Sequence, residues 1–148
     1  MALISHRGNI SGENPERENS PGYIIEVLTR GYNAEIDVRL IDGIFWLGHD
    51  APRYQIEESF LENDKLWCHA KNFAALAKMQ QNKKIHFFWN QEDNFALTSK
   101  GFIWTYKSKE ICPVSVLVKP EVLGITDKKK LPDCYGICSD FVANFNEI

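Results

Sequence analysis

Asn33-Ala34-Glu35-Ile36-Asp37-Val38-Arg39-Leu40 alternates apolar residues with charged ones. A period of two puts Ala34, Ile36 and Val38 on one face of a strand and Glu35, Asp37 and Arg39 on the other. Asp42-Gly43 and then Ile44-Phe45-Trp46-Leu47 follow, which read as a hairpin turn and an antiparallel partner. A second run, Leu66-Trp67-Cys68-His69-Ala70-Lys71, repeats the pattern: Cys68 and Ala70 point one way, Trp67, His69 and Lys71 the other. One face asks for an apolar layer, and the opposite face collects polar groups.

Further apolar or β-rich runs stand at residues 2–5, 84–89, 102–105, 114–118 and 134–139, with helix-like segments at 21–30, 56–62, 73–80 and 94–99. The first helix is the best marked. Ser20 can cap it, Pro21 suits its first turn, Gly31 closes it, and Ile24, Ile25, Val27 and Leu28 supply a buried face. Alternating strands and helices predict an α/β architecture with a parallel sheet. Helices on one face and polar groups on the other predict a TIM-like (β/α) barrel, whose active site lies at the C-terminal strand ends. His6, Arg7, Lys71, Asn90, Tyr106, Lys119 and Asp140 gather at those ends. A full barrel takes about 250 residues, and this chain has 148. The expectation is a compact, shortened barrel of about seven parallel strands with reduced helices, a single domain over residues 1–148. Such a barrel leaves an open edge that a second copy of the chain could cover.

With 44% hydrophobic residues the chain can bury one sizeable core. A net charge of −3 and a single basic run, Lys128-Lys129-Lys130, argue against nucleic acid as a partner. No apolar run reaches transmembrane length, and Met1 to Ser5 lacks the cationic start and apolar core of a secretory leader. Cys68, Cys112, Cys134 and Cys138 have no zinc-site spacing and read as free thiols of a reducing compartment. The expectation is a soluble, cytoplasmic protein.

His6-Arg7-Gly8-Asn9, Glu35-Ile36-Asp37 and Gly48-His49-Asp50 bring histidines, an arginine and carboxylates together early in the chain. An imidazole that titrates near neutrality can take or give a proton, which makes His6 and His49 a candidate acid/base pair. Glu35 and Asp37, two apart on one face, can share a divalent cation, Mg²⁺ or Ca²⁺ for hard oxygen ligands. Their other reading is the charged face of an edge strand. His69 is a third ligand, an outer-sphere group or an ordinary interior histidine; as a ligand it tilts preference toward Mn²⁺ or Zn²⁺. Arg7 and Lys71 can hold phosphate oxygens, or pair with Glu35 and Asp37 as structural bridges. Asn9 can orient phosphate or metal-bound water, and Trp104 either lines a leaving-group pocket or belongs to the core. Glu18 either adds a carboxylate or serves its loop. The set is the equipment for metal-assisted cleavage of a phosphodiester.

His6-Arg7-Gly8, Glu18-Asn19-Ser20, Glu35-Ile36-Asp37-Val38, Asp42-Gly43 and His49-Asp50, in that order and spacing, resemble the motifs of the glycerophosphodiester phosphodiesterase family. That family lies within the wider group of phosphatidylinositol phospholipase C-like phosphodiesterases. The resemblance is strong over residues 6–50; beyond them, Lys71 matches a family lysine and Gly136-Ile137-Cys138-Ser139-Asp140 is similar to its closing strand. The family's third-strand Glu-x-Lys stands here as His69-Ala70-Lys71. The resemblance implies a metal-dependent phosphodiesterase acting on a glycerophosphodiester-like small molecule. A substrate hydroxyl attacks phosphorus in line, one histidine aids it, the other protonates the leaving alcohol, and a cyclic phosphate is opened or released. Two other readings stay open: a sphingomyelinase D-like lyase that stops at the cyclic product, and a non-catalytic barrel that binds a phosphorylated ligand.

Overall fold

The computed structural model describes residues 1–146. Its strands are β1 (Ala2–His6), β2 (Asn33–Ile41), β3 (Ile44–Leu47), β4 (Tyr54–Ile56), β5 (Leu66–Ala70), β6 (Phe87–Phe88), β7 (Phe95–Leu97), β8 (Ile103–Tyr106), β9 (Ser115–Val118) and β10 (Gly136–Ser139). Two α-helices, α1 (Pro21–Thr29) and α2 (Phe73–Met79), and four 3₁₀ turns complete the described chain.

All ten strands belong to one mixed sheet, curled into a half-barrel. Parallel ladders run β6-β5-β2-β1-β10-β9-β8, while β3, β4 and β7 join by antiparallel pairing. The α/β barrel expected from the strand–helix alternation is therefore not what forms. The structure is strand-rich and mixed, and only β1→β2 and β5→β6 carry a crossover α-helix. The segments after β8, β9 and β10 are too short or too broken for helices and run as loops and 3₁₀ turns such as Pro120–Leu123 and Val142–Phe145. Residues 94–99, expected to be helical, instead contain β7. Gly101, at φ 86°, reverses the chain there, so Phe95–Leu97 folds back on β8 as a hairpin. Residues 56–62, also expected to be helical, hold the end of β4 and a 3₁₀ turn over Glu58–Glu62.

Both helices are anchored by their first turns. Ser20 Oγ accepts the Tyr23 amide at the start of α1, and Pro21 occupies its first turn. Asn72 Oδ1 accepts the Ala75 amide at 3.0 Å to cap α2, and the same side chain bonds both backbone groups of Leu40, at 3.1 and 3.0 Å. One residue thus ends β5, starts α2 and fixes the helix to β2.

The alternation of β2 and β5 divides the interior into two cores. Ala34, Ile36, Val38, Cys68 and Ala70 pack outward against α1, α2 and the 3₁₀ turns, with Ile24, Val27, Leu61, Met79 and Phe145 among the residues covering them. On the concave face Ile4, Trp67, Phe88, Trp104, Val116, Val118 and Cys138 fill the hollow. Each large side chain buried this way contributes about 1.5–3 kcal/mol. The aromatic plug sits low in the curl. Its polar continuation, at the C-terminal ends of β1, β2, β5 and β10, is open to solvent.

Candidate functional site

Strand register assembles the centre of this opening. In the parallel ladders His6 stands opposite Glu35, and Asp37 opposite His69. Side chains so paired share a face about 5 Å apart, and here that face is the concave one. Glu35, Asp37 and His69 each offer one ligand atom, all within 4.8 Å of one another.

His6 is held from behind. Its Nδ1–H donates to Asp140 Oδ1 at 2.7 Å, which leaves Nε2 facing the cleft, 3.9 Å from Glu35 Oε2. Asp140 is 1% exposed; Asn9 Nδ2 also donates to its Oδ1 at 2.8 Å, and Lys119 Nζ lies 3.0 Å from its Oδ2. Burial by itself would raise the Asp140 pKa, but these donors hold it well below the usual carboxylate range. Burial likewise pulls His6 down, yet the Asp140 hydrogen bond and the Glu35 charge outweigh it and the ring titrates above its ordinary value.

The carboxylates of β2 are nearly inaccessible, each 1% exposed. Asp37 Oδ2 accepts from Asn19 Nδ2 at 2.9 Å and lies 3.2 Å from Arg7 Nε, and the Asp37 amide donates to Asn19 Oδ1 at 2.9 Å. Asp37 Oδ1 and Glu35 Oε2 have no hydrogen-bond partner among the described residues. Burial drives both pKa values upward. For Glu35 the neighbouring His69 and His6 reverse this and hold it at about 2, whereas Asp37 faces the Glu35 charge and is raised. Two buried carboxyls with orphaned oxygens beside an imidazole are a donor set that fits a divalent cation, because unpaired buried charge is costly.

His69 has its tautomer set by the backbone. Nε2–H donates to Asn90 O at 2.7 Å, and the ring stacks on Phe88 with centroids 4.8 Å apart and planes 18° apart. Nδ1 is thereby turned toward Glu35 Oε1 and Asp37 Oδ1.

His49 arrives from the loop after β3. Arg39, on the β2 strand that β3 pairs with, donates to Gly48 O at 3.1 Å and to His49 O, and His49 Nδ1 bonds Asp50 Oδ1 at 2.6 Å. Gly48 makes the loop possible: a Cβ there would meet Ala51 O at 1.9 Å. Strain also concentrates at the site. Among the described residues, three of the five non-glycine residues with positive φ are Arg7, Asn19 and Lys119, a conformation that costs about 1–3 kcal/mol for most side chains.

The resulting cleft, about 480 Å³, is lined by His6, Arg7, Glu35, Asp37, His49, His69, Lys71 and Trp104, all expected from the sequence. The Lys71 ammonium has no hydrogen bond or ion pair among the described residues, whereas Arg7 is paired with Asp37 and Glu18. Trp104 does both jobs open to it, lining the cleft while packing 4.5 Å from Phe88. Asn9 is fully buried and does not line the cleft. Its amide bonds Asp140 and Glu18, and its Oδ1 accepts from Asn14 N and Tyr23 Oη. Asp140, Lys119 and Asn90 belong to the polar rim expected at the strand ends, but neither they nor Asn19 carry a role in the sequence reading. Strand-end position marks the first three in the sequence, and Asn19 lies inside the Glu18-Asn19-Ser20 motif. No helix among the described residues is long and apolar enough to cross a membrane. Compared with family models, with curated proteins and with solved structures, the chain matches none.

Proposed function

We propose that the protein is a phosphodiesterase that cleaves a small glycerophosphodiester-like molecule by two-histidine acid/base catalysis assisted by a divalent cation. One observation carries the reading: a carboxylate-oriented imidazole, His6, aims its free Nε2 into the cleft that also holds His49, Lys71 and the Glu35–Asp37–His69 cluster. His6 Nε2 exchanges a proton with the substrate while Asp140 keeps the opposite nitrogen protonated and steadies the imidazolium. His49, which lines the same cleft and is reachable from solvent, supplies the second proton transfer. Lys71 holds a non-bridging phosphate oxygen with its free ammonium, and Arg7 contributes the edge not engaged by Asp37 and Glu18. Glu35, Asp37 and His69 would hold the divalent cation, which when bound would neutralise charge at the phosphoryl group and acidify the attacking oxygen.

Phosphorus NMR on a panel of glycerophosphodiesters and lysophospholipids, with separate additions of Mg²⁺, Ca²⁺, Mn²⁺ and Zn²⁺ and an EDTA control, tests it. The expected result is a new monoester or cyclic phosphate. His6→Ala and His49→Ala should each slow its appearance by about 10²–10⁴-fold. Cyclic product alone would make the enzyme a lyase. A panel left intact by the folded protein with every cation, or turnover indifferent to both histidines, would overturn the proposal.

A further inference from the structure

Around His69 the spacing is that of ligands about a common ion. His69 Nδ1 lies 3.6 Å from Glu35 Oε1 and 3.5 Å from Asp37 Oδ1, too far for hydrogen bonds. The ring cannot turn its other nitrogen inward, because Nε2–H is held by Asn90 O at 2.7 Å and the ring is stacked on Phe88. With Nε2–H committed to Asn90 O, the neutral ring turns its Nδ1 lone pair on two carboxylate oxygens. That arrangement is repulsive until positive charge enters it, either as a metal ion shared by the three groups or as a second proton on the ring.

Bond lengths narrow the choice. Two bonds of about 2.1 Å opened to a tetrahedral angle hold their ligand atoms about 3.4 Å apart, close to the two spacings that His69 Nδ1 makes, within a cluster whose ligand atoms all lie within 4.8 Å. Octahedral Mg²⁺, with bonds of about 2.05 Å at right angles, would need about 2.9 Å. Ca²⁺ draws its ligands from oxygen and has little use for an imidazole. The Nε2–H···O=C contact is also the backing that a metal-bound histidine usually has.

We infer that Glu35, Asp37 and His69 Nδ1 form a three-ligand tetrahedral site of the Zn²⁺ class, with the fourth position open to the cleft. The inference gives the cation of the proposed phosphodiesterase its chemical class and so rests on that reading, but it is tested by binding alone. Failure here therefore leaves the NMR result to judge the reaction.

The full chain carrying Cys112→Ser and Cys134→Ser, so that thiols do not compete, is stripped with EDTA. It is then titrated calorimetrically with Zn²⁺, Co²⁺, Mn²⁺, Mg²⁺ and Ca²⁺. Zn²⁺ should bind once per chain and more tightly than Mg²⁺ or Ca²⁺. The Co²⁺ form should show the intense visible bands of a tetrahedral ion. His69→Ala should weaken Zn²⁺ by more than about 100-fold, beyond what losing an outer-sphere partner costs, and abolish those bands. His69→Glu should restore binding with preference moved toward Mg²⁺ and Ca²⁺. Circular dichroism checks that both variants fold; if His69→Ala does not, His69→Gln takes its place. Faint octahedral bands, Zn²⁺ affinity untouched by the His69 changes, or Mg²⁺ bound as tightly as Zn²⁺ would overturn the inference. So would absence of any cation binding, which would make a protonated His69 the internal counter-charge of the two carboxylates.

Discussion

His6, His69 and His86 are three imidazoles on one concave surface, and the atom behind each decides its behaviour. A carboxylate keeps the Nδ1 of His6 protonated and raises its pKa; a carbonyl keeps the Nε2 of His69 protonated and frees Nδ1. His86 lies deeper, 2% exposed, 4.2 Å from the Trp67 ring and hydrogen-bonded through Nε2 to Thr98 Oγ1 at 2.8 Å. With no carboxylate beside it, burial pulls its pKa down to about 4. The unfolded ring titrates near 6.5, so the folded protein holds fewer protons between the two values. The stability of the neutral ring is complete above pH 6.5 and is lost as pH falls toward about 4. Melting temperatures of wild type and His86→Gln should therefore diverge as the pH is lowered from 7, with wild type losing more. Parallel curves would exclude the assignment. For Asp140→Asn, which removes the anion behind His6, turnover should fall by about 10²–10⁴-fold while the folded state persists.

At the scale of elements, the β2–β3 hairpin matters beyond its place in the sheet. β1 pairs with the first residues of β2 and β3 with the last, so Asp37 falls between the ladders and its amide is taken by Asn19. The same hairpin carries His49 to the cleft on a loop that turns at Gly48. Gly48→Ala puts a methyl group into the Ala51 carbonyl and should cost about 1–3 kcal/mol, read as a lower urea midpoint with unchanged slope. Turnover should fall further than the unfolded fraction explains, because the displaced residue is next to His49. Asn72 is the comparable point on the other side of β2. Asn72→Ala removes a helix cap and both Leu40 hydrogen bonds and should lower stability by about 2 kcal/mol with little effect on cation binding.

For the whole molecule, the costs of the polar opening are met by the two apolar cores beneath and behind it. Buried carboxyls, orphaned oxygens and the left-handed residues Arg7, Asn19 and Lys119 gather at one end of the curl. A bound cation should therefore stabilise the fold globally. At about 100 times its dissociation constant the gain is about 2.7 kcal/mol, or about 5–10 °C in a domain of this size. A thermal scan should show that rise, its reversal by EDTA and its absence in Glu35→Gln. An unchanged melting temperature in saturating Zn²⁺ would count against a preformed site.

What local sequence determined here is periodic or short-range. Residue-by-residue alternation placed Glu35, Asp37 and His69 on one face and Ile36, Val38 and Cys68 on the other. Ser20, Pro21 and Asp42-Gly43 marked a helix start and a hairpin with chemistry confined to a few neighbouring residues. The histidines and carboxylates of the cleft were recognisable by the same local spacing. Strand order, the mixed pairing and the missing crossover helices were not, since an apolar run of four to eight residues looks alike in a parallel strand, an antiparallel hairpin or a buried helix. Residues 94–99 show the ambiguity, settled only by the turn that returns them to β8. Asp140 lies 134 positions from the His6 it orients, and Asn90 offers His69 a backbone carbonyl that any residue would carry. Such pairings exist only once β1, β10, β5 and β6 are brought side by side, because cross-strand contacts depend on which strands meet and leave no periodic mark on the chain.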